Sequence, residues 1–268
     1  MHNVIEIKDL SISFKDKKVF ENLNITLKNK RFVTILGKSC SGKSSLAKTI
    51  VGLIPYNGEI IIDGVTLDDN SRDYLLKKVG IVFENPNQQF LCNTVYEELS
   101  FVLENLNYYQ IDIDDKIEAV ATLLGIEELL NREIVTLSVG EQQLVALASA
   151  IIHQPSLLIL DDALSMLDNY YKEIILKTLD ILRKKGMTII YLTSNSIDCI
   201  YGTDIVIINN GEIVLNKPLI KALKEEKAFV TSGIEMPFIA NISLKLGYYN
   251  LVNKIYLDEK GLVDAIWK

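Results

Sequence analysis

Arg31-Phe32-Val33-Thr34-Ile35-Leu36 runs into Gly37-Lys38-Ser39-Cys40-Ser41-Gly42-Lys43-Ser44, and the reading of the whole chain turns on this stretch. An apolar run, a glycine-bearing octapeptide and then the segment Lys43 to Gly52 read as a buried strand, a phosphate-cradling loop and a helix. The octapeptide fits G-x-x-x-x-G-K-[ST], and each fixed position has a physical reason. Glycines let the backbone curl until successive N–H groups face phosphate oxygens, and the helix N-terminus adds partial positive charge. Gly37, Lys38, Ser39, Cys40, Ser41, Gly42, Lys43, Ser44 and Ser45 are therefore expected to bind a nucleoside triphosphate, ATP with Mg²⁺. Lys43 reaches the β- and γ-phosphates, Ser44 offers its hydroxyl to Mg²⁺, and Cys40 contributes only its backbone N–H. A plain glycine turn between strand and helix is the alternative, which the flanking context disfavours.

Upstream of the loop, Ile5 to Phe14 and Phe20 to Leu27 read as short alternating strands. Downstream come an alternating stretch from Glu59 to Asp63, a turn at Asp63-Gly64 and a strand from Val79 to Phe83. From Asn93 to Asn131 the spacing turns helical, with Leu99, Val102, Leu103 and Leu106, then Ile117, Val120, Leu123 and Leu124 on apolar faces. A helix from Val139 to His153, a strand Leu157 to Leu160, a helix around Tyr170 to Lys185 and a strand Thr188 to Thr193 follow. Such alternation predicts a parallel sheet. Leu157-Leu158-Ile159-Leu160-Asp161 has the form of a buried strand delivering a carboxylate to a Mg²⁺ shell. Alone it is a weak signal, and the phosphate loop upstream is what gives it force. The tail after Lys217 reads as short helices ending in a strand-like Val252 to Leu257.

Composition narrows the class. The chain has 268 residues, 49% of them hydrophobic and 24% charged, the balance of a folded globular protein with room for a sizeable core. A net charge of -7 argues against nucleic acid as a partner, because phosphate backbones demand clustered Lys and Arg. The apolar runs Leu157 to Leu160 and Ile205 to Ile208 fall far short of the roughly 20 residues of a membrane-spanning helix. Met1 to Leu10 lacks the pattern of a secretory signal, so an intracellular protein is expected. Cys40, Cys92 and Cys199 are too far apart to suggest a disulfide framework or a metal cluster.

Between the loop and the acid-tipped strand lies Leu137-Ser138-Val139-Gly140-Glu141-Gln142-Gln143. This order of segments resembles the ABC-type ATPases, whose signature is LSGGQ. Ser138 and Glu141 also form a capping box before an apolar helix, and a capped helix N-terminus is an anion site. In the resembling family that site, here Ser138 and Gly140, binds the γ-phosphate held by the opposite subunit. Phe14 stands where the family stacks an aromatic ring on adenine, a place an isolated strand-end Phe also takes as core. Ser165-Met166-Leu167-Asp168 matches the loop crossing the dimer interface, and Asp204 to Ile213 matches the strand and hairpin that end the ATPase domain.

Val79 to Phe90 (VGIVFENPNQQF) with Thr94-Val95-Tyr96-Glu97-Glu98 is similar to the energy-coupling factor ATPases of vitamin and metal uptake. Met236-Pro237-Phe238, Tyr256-Leu257-Asp258 and Val263-Asp264 resemble that group's C-terminal region. The resemblance implies an α/β P-loop fold of ABC type with an N-terminal antiparallel β subdomain, a helical insert at about 93–150 and a short C-terminal extension. Residues 1–215 would form the ATP-binding domain and residues 216–268 a small C-terminal region. It further implies a second ABC ATPase as heterodimer partner, a transmembrane scaffold and, through it, a substrate-binding membrane protein, at the cytoplasmic face of the membrane. Glu97 and Glu98 are candidates to receive scaffold arginines, or are ordinary exposed helix carboxylates.

Several positions depart from the family pattern. Asp162 follows Asp161 where the family has the Glu that orients the attacking water. One methylene shorter, it falls about 1 Å back, a misplacement that costs roughly a hundredfold. Ser194 replaces the switch His and carries no positive charge. Glu84 replaces the sensor Gln; a carboxylate is a possible Mg²⁺ ligand that repels phosphate. Val139 replaces a signature glycine, and Leu144 stands where an Arg is common. The loop is thus expected to bind ATP while its own site hydrolyses slowly or not at all. The leading function from sequence is a transporter motor subunit driven by ATP. A soluble ABC-type ATPase acting on nucleic acid or ribosomes is disfavoured by the chain length and the net charge of -7, and a non-catalytic nucleotide sensor is kept open by the departures.

Overall fold

A computed structural model describes residues 2–15 and 17–267, and for residues 110 and 111 the backbone only. Strands β1 (Asn3–Phe14) and β2 (Lys17–Lys28) form an antiparallel ribbon, then β3 (Phe32–Leu36) enters the glycine loop and α1 (Lys43–Ile50) leaves it. Next come β4 (Asn57–Ile62), β5 (Val65–Thr66), the short helix α2 (Arg72–Leu76) and β6 (Val79–Val82). The helical insert supplies α3 (Val95–Asn105), α4 (Gln110–Leu124) and α5 (Val139–Ile151). Then β7 (Leu157–Asp161), α6 (Asn169–Lys184), β8 (Thr188–Thr193), β9 (Asp204–Asn209) and β10 (Glu212–Pro218) complete the sheets. The tail adds α7 (Leu219–Ala222), α8 (Glu226–Ser232), α9 (Phe238–Tyr248) and α10 (Glu259–Ile266).

Two sheets result, one in the order β2-β1-β4-β5 and antiparallel, the other in the order β10-β9-β3-β8-β7-β6. In the second, β9, β3, β8, β7 and β6 run parallel and β10 closes one edge as an antiparallel hairpin strand. Strand periodicity explains the layers. Leu158, Leu160, Ile189 and Tyr191 face the helical insert, whereas Leu157, Ile159, Ile190 and Leu192 face α1 and the antiparallel sheet. A third cluster joins Leu36, Ile205 and Ile207 to Leu219, Leu223 and Phe229 of the tail. No described helix is long and apolar enough to cross a membrane.

The strand expected at Val252 to Leu257 does not form. That segment finds no sheet edge and straps along α9 instead, where Ser243 Oγ accepts from the Tyr256 N–H at 2.8 Å and donates to the Lys254 carbonyl at 3.3 Å. Glu98 is a second correction. It is only 4% exposed, and its carboxylate accepts from the Leu91 and Cys92 N–H groups at 2.9 and 3.0 Å, so it is not offered to a partner's arginine. Glu97 closes a capping box with Thr94 at the start of α3.

Candidate functional site

The parallel register brings the C-terminal ends of β3, β7 and β8 level, with Leu36 opposite Thr193 and Asp161 opposite Leu192. The loops that follow these strands leave from one edge of the sheet, where ligands of open α/β folds bind. There they surround a cleft of about 860 Å³. Phe14, Lys38, Ser39, Cys40, Ser41, Gly42, Lys43, Ser44, Ser45, Glu84, Asp162 and Ser194, singled out in the sequence, all line it. Phe14 is 47% exposed at the cleft, so it is an available ring and not core. Lys17, Lys18, Asn209 and Asn210 also line it. Asn210-Gly211, both at positive φ, is a legible hairpin turn, but its place beside β3 is not written locally.

Loop geometry follows the residues. Gly42 takes φ 98° at the N-cap of α1, a conformation that side chains resist. A Cβ on Gly37 would lie 2.4 Å from Ser41 Oγ and 3.0 Å from the Ile208 carbonyl oxygen, so a side chain here would crowd the loop. Lys43 Nζ donates to the Gly37 carbonyl at 2.8 Å and the Lys38 carbonyl at 3.1 Å, which arches its side chain over the loop. Burial holds the Lys43 ammonium below its ordinary pKa, while the Asp162 and Asp161 carboxylates pull the other way. Ser44 Oγ donates to Asp161 Oδ1 at 2.9 Å. Burial raises the pKa of Asp161, and the Ser44 hydrogen bond opposes that shift. The Ser41 hydroxyl is buried and has no hydrogen-bond partner among the described residues.

Two of the positions expected from sequence to be catalytic are tied together. Asp162, at φ 50°, accepts from the Ser194 N–H through Oδ1 at 3.2 Å. Phe83, which precedes Glu84, is fixed on both backbone groups. Its N–H donates to Gln89 Oε1 at 2.8 Å and its carbonyl accepts from Gln143 Nε2 of α5 at 3.2 Å. Beyond Ser194, fully buried Asp198 pairs with Lys172 of α6 and accepts from the Tyr191 hydroxyl at 2.9 Å. A buried charge is tolerable only when paired in this way.

Ser138 and Gly140 do not line the cleft. Ser138 caps α5, accepting from the Glu141 N–H while Glu141 accepts from the Ser138 N–H at 2.7 Å. The Tyr171 ring lies on Gly140, where a Cβ would sit 2.2 Å from it. Val139 is exposed and Leu144 is buried within the helical core. One chain thus carries a cleft and a separate capped helix end.

A glycine loop at the C-terminal edge of a parallel sheet, with a Ser–Asp pair beneath it, defines a P-loop nucleotide-binding protein. The family described as "ABC transporter" matches residues 20–165. The chain is 33% identical to the energy-coupling factor transporter ATP-binding protein EcfA1 of Leuconostoc mesenteroides over 98% of this chain and 97% of that protein. It is 34% identical to the protein of that name from Mesomycoplasma hyopneumoniae, over 99% and 98%. The solved structure of cbiO1 from Clostridium perfringens, part of the ABC transporter complex cbiONQ, superposes with a TM-score of 0.77 at 25% identity, covering 90% of this chain and 99% of that one. The chain belongs to the ABC transporter family, within its group of energy-coupling factor ATP-binding proteins.

Proposed function

We propose that this chain is the ATP-binding subunit of an energy-coupling factor transporter and that it works at the cytoplasmic face of a membrane. Its partners are a second, different ABC ATPase and a transmembrane scaffold that carries a substrate-binding membrane protein for a vitamin or other micronutrient. The observation that carries ATP binding is the desolvated Lys43 arched over a loop whose Ser44 already meets Asp161. A triphosphate supplies the anion that Lys43 lacks and an acceptor for the orphaned Ser41 hydroxyl.

Ser44 and Asp161 would hold Mg²⁺, with Glu84 on the cleft wall as a further ligand; the ion would supply positive charge that offsets the charge of the phosphates. Phe14 offers its exposed face to the base. Asp162 would orient water, and Ser194 contributes a hydrogen bond without charge. Because Asp162 is already held by the Ser194 backbone, turnover at this chain's own loop is slow. Ser138 and Gly140 would serve the partner's nucleotide, since they lie off this chain's own cleft.

The test has two arms. Titration calorimetry of the isolated chain should show Mg-ATP binding that Lys43→Ala abolishes, with little phosphate release. Affinity purification from native membranes should bring down a membrane scaffold and a second ATPase. Absence of ATP binding, or vigorous hydrolysis by the chain alone that Asp162→Ala removes, would overturn the reading of the site. Recovery with ribosomes, or with no partner, would overturn the transport assignment.

A further inference from the structure

The Lys38 side chain runs from the phosphate loop to the C-terminal region. Gly233 closes α8 in the left-handed conformation, φ 59° and ψ 37°. A Cβ built on it lies 2.2 Å from Lys38 Nζ and 2.6 Å from Lys38 Cε, so the ammonium fills the space this glycine leaves open. The electrostatics suit the contact, because the C-terminal end of a helix presents carbonyls and partial negative charge. Asn209 makes a second link, its Nδ2 donating to the Thr231 carbonyl at 3.5 Å. Both Lys38 and Asn209 also line the nucleotide cleft.

The helix end is held in place. Phe229 is fully buried in one cluster with Leu36, Ile205 and Ile207, and Leu36 is the residue before Gly37. A short apolar peg therefore fixes α8 against the strand that leads into the phosphate loop. Lys38 is exposed, and among the described residues its ammonium forms no ion pair and no hydrogen bond. One flexible cation thus faces two destinations, the partly negative end of α8 that it now contacts and the position of a triphosphate in the cleft.

We propose that Lys38 is shared between the two, so that nucleotide binding and docking of the α8 end oppose each other. This rests on the reading that ATP occupies the cleft. Linkage makes the opposition reciprocal: the affinity that the helix end withholds from nucleotide equals the hold on the helix that nucleotide removes. The C-terminal region then acts as a brake on nucleotide affinity, and a partner that pulls α8 away would release it.

The experiment uses the full chain. Gly233→Asn keeps a residue tolerant of the left-handed conformation and places a Cβ where the Lys38 ammonium lies, sending that flexible side chain back to the cleft. The dissociation constant for Mg-ATP should fall about two- to fivefold, the scale of a cation at a helix end. Hydrogen–deuterium exchange gives an independent readout. In the unmodified chain, saturating Mg-ATP should speed exchange of the amides of residues 230–234. In Lys38→Gln, at a concentration saturating for that variant, these amides should already exchange fast and nucleotide should add nothing. Unchanged or weaker ATP binding by a folded Gly233→Asn would overturn the proposal, as would nucleotide slowing exchange in this segment or leaving it unaltered. Failure of the unmodified chain to bind ATP at all would instead sink the reading of the cleft.

Discussion

Asp162 Oδ1 lies 3.2 Å from the Ser194 backbone nitrogen, so the side chain proposed to stand in for the water-orienting Glu is held by the residue proposed to stand in for the switch His. The two departures work as one. A carboxylate retracted by a methylene and turned toward the Ser194 N–H is poorly placed to take a proton from water at the loop. Replacing Asp162→Glu restores reach, and Ser194→His restores a group that can carry charge. In the assembled complex the double variant should raise ATP turnover at this chain's site by about ten- to a hundredfold, each single variant giving less. Phosphate release at saturating Mg-ATP, with the partner's own catalytic acid removed, checks it; equal rates for all variants would show that these positions are not what limits turnover.

Asp161 separates stability from function. The residue is 5% exposed, and burial disfavours its charged form, which the Ser44 hydrogen bond and the Lys48 and Lys43 ammonium groups offset only in part. Asp161→Asn keeps an oxygen to accept from Ser44 and removes the charge. The nucleotide-free protein should gain about 0.5–2 kcal/mol. The Mg²⁺-dependent part of the thermal shift seen with ATP should vanish. A variant less stable than the parent, or one whose shift with ATP still depends on Mg²⁺, would show that Asp161 is not held for a metal.

Much of this was legible because it is local. The strand, loop and helix from Phe32 to Ile50 are written in contiguous residues, as is the Ser138–Glu141 capping box. The alternation that sorts Leu157 to Asp161 between two faces of the sheet is equally local. What was not legible depends on residues far apart in sequence. Val252 to Leu257 has strand composition, but a strand needs an edge and Ser243 took its backbone groups instead. Glu98 looked like a surface acid because nothing near it announces that the Leu91 and Cys92 amides turn back to meet it. Lys17, Lys18 and Asn209 reach the cleft only through the packing of β2 and β9 beside the loop.

His153 should make folding stability depend on pH. It stands just beyond the end of α5 beside a hollow shared with Lys77 and Asp112, and among the described residues neither buried ring nitrogen has a partner in ordinary hydrogen-bond geometry. Burial lowers its pKa below the ordinary value of 6.5, against the opposing pull of the Val79 backbone. As pH falls through that value the unfolded chain takes a proton that the folded chain does not, so stability is present above it and declines on acidification. His153→Gln removes this term. Melting curves between pH 7.5 and 5 should show a smaller loss of Tm for the variant than for the parent, and parallel losses would show that His153 does not contribute.

The three thiols should report occupancy of the cleft. Cys199 is fully buried and its pKa is pushed up to about 12, so it holds neither exposure nor thiolate. Cys92 is half-buried, and burial with nearby Glu98 raises its pKa too. Cys40 is exposed within the phosphate loop, on the wall of the cleft. A maleimide should therefore label Cys40 first and leave Cys199 untouched until the chain unfolds. Mg-ATP at ten times its dissociation constant leaves about one chain in eleven free, so labelling of Cys40 should slow about tenfold. Labelling of Cys92 should stay constant, because that residue is not on the cleft. The same protection should disappear in Lys43→Ala, which keeps Cys40 but loses the cation proposed to anchor the phosphates. A Cys40 rate indifferent to nucleotide in the unmodified chain would mean that the loop is not where ATP binds.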